Sequence, residues 1–169
     1  MPTPPLAALY DEHAPALFGF LLNFTRHESD ARDALQEVFI KLVRSPGSME
    51  GVREPRAFLL RLAHNVAIDQ GRRRQTRDRY HAESGLDVVE LFAPVPDPDR
   101  QAFQAALSVA LSELPAEQRA VVHLKLWEGL TFDRVAEVLE IPPNTAASRY
   151  RYGLDKLRTQ LRPLYDEIR

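Results

Sequence analysis

The chain has 169 residues, 44% hydrophobic and 27% charged, and its 22 Lys and Arg against 24 Asp and Glu leave a formal charge of −2. This composition supports one ordinary domain or two small ones, and excludes both a disordered chain and a uniformly basic nucleic-acid coat. Without cysteine there is no disulfide, thiolate zinc site or Cys nucleophile, and no apolar run approaches the roughly 18 residues of a membrane span, so the expected home is the cytoplasm.

In chain order, Leu6, Leu9, Tyr10, Leu17, Phe20, Leu21 and Phe24 keep to one helical face, with Pro15 expected to kink or split the helix. Ala31, Ala34, Leu35, Val38, Phe39 and Leu42 predict a second helix, capped by Ser29 or Asp30 and stopped by Pro46 and Gly47. A third begins near Pro55, turns Leu59, Leu62, Ala63 and Val66 inward, and ends in arginines. These make a three-helix unit over residues 1–82. Residues 83–100, with prolines at 94, 96 and 98, read as an acidic flexible linker whose apolar piece Val88 to Phe92 can dock on a neighbour or a partner.

Residues 101–169 then predict a four-helix unit. A helix from Asp99 to Leu114 precedes another, with Pro115 in its first turn and Gly129 ending it. Two short helices follow, the first capped by Thr131, with Ile141 to Asn144 as the turn between them. That pair is the helix-turn-helix pattern, whose second helix enters a major groove. The expected fold is all-α, in two small domains.

Charge is unevenly spread. Residues 1–55 carry −3, 56–80 carry +5, 81–118 carry −6 and 119–169 carry +2. The +5 block, with Arg72, Arg73, Arg74, Arg77 and Arg79, suits a polyanion or a heavily solvated surface. The acidic block after it suggests a linker folding back over the basic helix end.

The run Asp33, Gln36, Glu37, Phe39, Lys41, followed by Ala57-Phe58-Leu59-Leu60-Arg61-Leu62-Ala63-His64-Asn65-Val66-Ala67-Ile68-Asp69 and arginines, resembles region two of bacterial sigma factors. Leu111-Ser112-Glu113-Leu114-Pro115-Ala116-Glu117-Gln118-Arg119, then Gly129-Leu130-Thr131-Phe132, Val135-Ala136 and Thr145, Ser148, Arg149, resembles region four. Order and spacing are similar to those of the extracytoplasmic-function group, from about Leu6 to Leu161. The resemblance implies an alternative sigma factor that binds core RNA polymerase and directs promoter recognition, DNA opening and initiation. It implies that Asp33, Gln36, Glu37, Phe39 and Lys41 bind polymerase, with Phe39 also suited to plain core packing. It further implies that Arg61, His64, Asn65, Arg72 and Arg73 contact the promoter element near the start of melting. Asn65 could read a base edge there, amide side chains pairing well with adenine, or serve as a cap. The loop Ser45 to Pro55 lies where the family captures a flipped base, and it lacks an aromatic residue for stacking.

Arg119, Thr145, Ser148, Arg149 and Arg151 would serve the upstream box. Here the chain departs from the family: Ala147 stands where Lys is frequent, Glu140 where the turn usually has Gly, and Leu154 and Asp155 where basic residues are frequent. The implied partners are core RNA polymerase, promoter DNA and an anti-sigma factor, with a monomer when free.

No catalytic constellation, cofactor or metal is expected. The histidines at 13, 27, 64, 81 and 123 never take a two-His ligand spacing, and no Gly-rich phosphate loop occurs. Two other readings stay open at this point: a stand-alone helix-turn-helix regulator, and a helical protein-interaction module.

Overall fold

The computed structural model describes residues 3–77 and 89–167, which form seven helices and no strand. Helix α1 (Leu6–Thr25) is continuous, although Pro15 lies within it. Pro15 and Asp11, whose carbonyl loses its partner to the proline ring, are both exposed, so water can take over that acceptor. α1 ends at Arg26 in the left-handed conformation (φ 58°), whose N–H donates to the Leu22 carbonyl. α2 (Glu28–Arg44) starts two or three residues earlier than a Ser29 or Asp30 cap would require. Its N-cap is His27, without a side-chain cap bond, and Glu28 and Asp30 instead place negative charge in the first turn.

α3 (Pro55–Arg77) packs its Leu59, Leu60, Ala63 and Val66 against α1 and α2. The loop before it is anchored by buried Met49 and turns through Gly51, whose φ of 73° favours glycine. The basic end of α3 is tied back to the start of α2 by a two-pronged ion pair between Arg74 and Asp30. The suggested cover of that end by the acidic linker falls largely on residues 78–88, outside the described residues.

Val89 to Asp97 runs beside α4 (Pro98–Glu113), where Asp97 caps through a bond accepted from the Asp99 N–H. The apolar piece of the linker docks on the second half of the chain. Val89 is buried, its carbonyl accepts from Ser108 Oγ, and Phe92 lies 6.0 Å from Trp127. α5 (Ala116–Leu126) follows with Pro115 as N-cap rather than inside its first turn. Gly129 (φ 65°) leads into α6 (Phe132–Leu139), capped as expected by Thr131.

α7 (Pro143–Glu167) is not short: it starts within the expected turn and continues through Pro163 for 25 residues. α5 and α7 approach closely at Gly153, where a Cβ would stand 2.8 Å from Val122 Cγ2.

The two halves are not held apart. One buried cluster runs from Leu17, Phe20 and Leu21 of α1 through Leu59 and Ala63 of α3 to Val121, Leu124, Val135 and Val138 of α5 and α6. A smaller cluster of Leu111, Leu114, Val122 and Leu157 belongs to the second half alone.

Candidate polymerase and nucleic-acid interfaces

On α2, Asp33, Gln36 and Lys41 are exposed, Glu37 is half-buried and Phe39 is buried. Phe39 therefore serves chiefly as packing, with Tyr10 edge-on to its ring at 4.9 Å. It still lines the floor of an apolar cleft of about 830 Å³ with Tyr10, Phe18, Leu35 and Val43, whose rim carries Asp33 and Gln36. Tyr10 and Val43 are respectively 48% and 62% exposed, which makes this a surface able to receive an apolar partner helix.

On α3, Arg61, Arg72 and Arg73 are exposed, whereas His64 and Asn65 are half-buried because α6 lies across their face. The Arg61 guanidinium sits over the Phe58 ring at 5.5 Å. Asn65 Nδ2 donates to Glu140 Oε1 at 3.5 Å, and Arg134 of α6 reaches Glu54 at 3.8 Å. The Ser45 to Pro55 loop and Arg61 thus border a narrow cleft of about 210 Å³ whose far wall is Arg134, Glu137 and Val138.

His64 stacks edge-on against Phe24 at 5.3 Å, and its Nδ1 has no hydrogen-bond partner. Burial pushes its pKa below the ordinary 6.5, while Glu140 pulls the other way. A histidine with a lowered pKa binds fewer protons folded than unfolded, so its stabilisation is present above about pH 6.5 and is lost as pH falls below that. The thermal midpoint is expected to drop between about pH 7.5 and about pH 5.5, and this drop should shrink in His64→Phe. An unchanged pH dependence in that variant would refute the assignment.

The helix seam also holds a polar hub that the sequence did not announce. Asn23 Nδ2 donates to His123 Nδ1 at 3.0 Å, which leaves the ring proton on Nε2, 3.6 Å from Glu128 Oε1. Arg56 at the start of α3 donates to Glu128 Oε2 through Nε at 2.8 Å, and through Nη2 as well. Burial alone would raise the Glu128 pKa, but His123 and Arg56 hold it below the ordinary 4.5. The stability this adds is present above that value and is lost only at more acid pH than the His64 effect. Buried Arg26 donates through Nη2 to the Ser108 carbonyl and hydroxyl, both at 3.1 Å. Asn23 and His123 sit on apolar faces, and buried polar residues on such faces were the available signal.

Arg119, expected beside the DNA backbone, is in this fold a buried structural residue, 4% exposed. Its guanidinium donates to the carbonyls of Asn23 (2.6 Å), Phe24 (2.8 Å), Leu114 (2.9 Å) and Leu111 (3.4 Å). The physical reason is the end of α1, where carbonyls lack helical partners and attract a cation. Burial, with Arg26 nearby, lowers the Arg119 pKa to about 10, so it remains charged at neutral pH.

On α7, Thr145, Ser148 and Arg149 share one half-buried face, and Arg149 lies 3.8 Å from Glu117. Arg151 is exposed and stacks over Tyr152 at 5.4 Å. The adjacent face is buried through Ala146, Gly153 and Leu157. Among the described residues there is no cluster able to hold a metal ion, and no helix long and apolar enough to cross a membrane.

Residues 9–77 match the family Sigma-70 region 2, and residues 104–157 match Sigma-70, region 4. The chain is 29% identical over 165 residues to the ECF RNA polymerase sigma factor SigX of Bacillus subtilis, covering 95% of this chain and 85% of that protein. It is 31% identical over 160 residues to the RNA polymerase sigma factor CarQ of Myxococcus xanthus, covering 95% and 91%. It is also 31% identical over 161 residues to the ECF sigma factor SigL of Mycobacterium tuberculosis, covering 94% and 90%. The fold is similar to that of the sigma factor RpoE in its complex with the anti-sigma factor NepR from Bartonella quintana. That match has a TM-score of 0.68 and 23% identity over 88% of this chain and 91% of that one. Sigma factors bind core RNA polymerase and direct it to promoters, and they are not known as an enzyme family. With both regions matched in order and relatives aligned along nearly the whole length, the chain belongs to the extracytoplasmic-function group of RNA polymerase sigma factors.

Proposed function

We propose that α2 and α1 together form the polymerase-docking face, with Asp33, Gln36, Glu37 and Lys41 as polar contacts and Phe39 as the floor beneath them. The observation that carries this reading is the open apolar cleft lined by Tyr10, Phe39 and Val43 and rimmed by Asp33 and Gln36. A partner helix would gain from burying those side chains, and the rim would set its register. Arg61, His64, Asn65, Arg72 and Arg73 would serve the element near the start of melting. Thr145, Ser148, Arg149 and Arg151 would serve the upstream box. Two modest readers held on one polymerase become selective together through effective concentration.

Residues 1–82 and 101–169 would act as the two functional units, joined by 83–100. The protein would be cytoplasmic and non-catalytic, monomeric when free, and open to restraint by an anti-sigma protein, as the RpoE–NepR complex illustrates for that sigma factor.

Reconstitution with bacterial core polymerase tests the assignment. Asp33→Arg reverses the charge on the rim without touching the core, so co-elution and promoter-specific transcripts should fall at least about tenfold, with helicity unchanged. Undiminished co-elution of Asp33→Arg would move the docking face elsewhere.

A further inference from the structure

Two guanidiniums are buried near one another where α1 meets the second half, and their surroundings differ. Arg119 donates to four carbonyls, and Arg26 is close enough to help lower its pKa. Arg26 is 2% exposed, yet only its Nη2 is engaged, on Ser108, while Nε and Nη1 have no hydrogen-bond partner. Among the described residues, no carboxylate pairs with either arginine, and burial alone lowers the Arg26 pKa. A buried cation without a counter-charge is costly, and donors without acceptors add to that cost. Arg26 is thus one half of an interaction whose other half is an anion.

Arg26 also lines a groove of about 470 Å³ between α4 and the linker piece that docks on it. Its walls are largely apolar, with Leu91, Phe92 and Val95 on the linker side and Ala105 and Val109 on α4. Lining residues run from Gln101 to Ser108, roughly two turns of α4, or about 10 Å. Glu90 is the one carboxylate in the lining, and it is exposed rather than paired with Arg26. A cation at the closed end of an apolar trough suits a ligand with a charged head and an apolar body. We propose that this groove binds a small amphipathic carboxylate, its head on Arg26 and its tail along α4 beside Ala105 and Val109. The head reaches Nε and Nη1 as the Val89 carbonyl, only loosely held at 3.5 Å by Ser108 Oγ, moves aside.

The test uses octanoate as the probe on the full chain, with octanol as the same tail without charge and acetate as the same head without a tail. Calorimetry should give octanoate a Kd of about 1 mM or below, and octanol and acetate should each bind at least about tenfold more weakly. Octanoate should also raise the thermal midpoint, since it binds the folded chain. In nuclear magnetic resonance spectra it should shift the Arg26 Nε–H signal and leave that of Arg119 in place. Arg26→Gln keeps a donor for Ser108 but removes the charge, and should weaken octanoate binding at least about tenfold. Should that variant fold poorly, Val109→Asp serves instead. Val109 is 58% exposed, so the change spares the core, and its carboxylate should repel the ligand to a similar extent. Octanol binding as tightly as octanoate would leave only an apolar groove and overturn the proposal. Acetate matching octanoate would overturn the role of the tail, and undiminished octanoate binding in a folded Arg26→Gln or in Val109→Asp would place the ligand elsewhere and overturn the site.

Discussion

Arg119→Ala is expected to lower the unfolding free energy by about 3–5 kcal/mol, because several buried carbonyls would each lose a charged donor at about 1–3 kcal/mol apiece, softened by water entering the gap. Two of those carbonyls close α1 and two lie at the end of α4, so one guanidinium ties the halves together. At roughly 2–4 °C per kcal/mol for a chain of this size, the thermal midpoint should fall by on the order of 10 °C. Arg119→Lys should recover less than half of the loss, since a single ammonium cannot span acceptors on two helices. A midpoint within about 2 °C of the parent for Arg119→Ala would mean that the carbonyls are hydrated in solution.

Phe20→Ala is the second large effect, at about 3–5 kcal/mol. The ring is fully buried, lies 5.9 Å from Phe24 and 5.5 Å from His123, and touches His64 at 6.4 Å. It thus stands where α1, α3 and α5 meet, so its removal would leave a cavity between three helices. Denaturant melts should show a lower midpoint, and the pH dependence tied to His64 should weaken as water reaches the imidazole. A destabilisation below about 1 kcal/mol would show that the three-helix junction repacks.

Much of the fold was legible because its determinants are local. The apolar spacing of Leu17, Phe20 and Leu21, the Thr131 cap and the Gly129 turn each act within a few residues. Pro15 does not split α1, because the carbonyl it frees is exposed to water, and exposure is a tertiary property. The family motifs pointed to α2, and Asp33 and Gln36 stand on the rim of its apolar cleft. Arg119 could not be read in the same way. It is buried only because helices distant in sequence meet at the seam. An arginine in a surface-like motif carries no mark of the helix end that will receive it.

The shared core has a consequence for how such a chain can change over generations. Phe20, Asn23 and Arg26 on one side answer His123, Arg119 and Ser108 on the other, across a separation of 82 to 103 residues. A substitution at the seam in one half therefore constrains what the other half can tolerate. The two halves are therefore not separable as inheritable parts. Exchange of one half between relatives would bring in a mismatched surface, while residues on the outward faces of α2 and α7 remain free to vary alone.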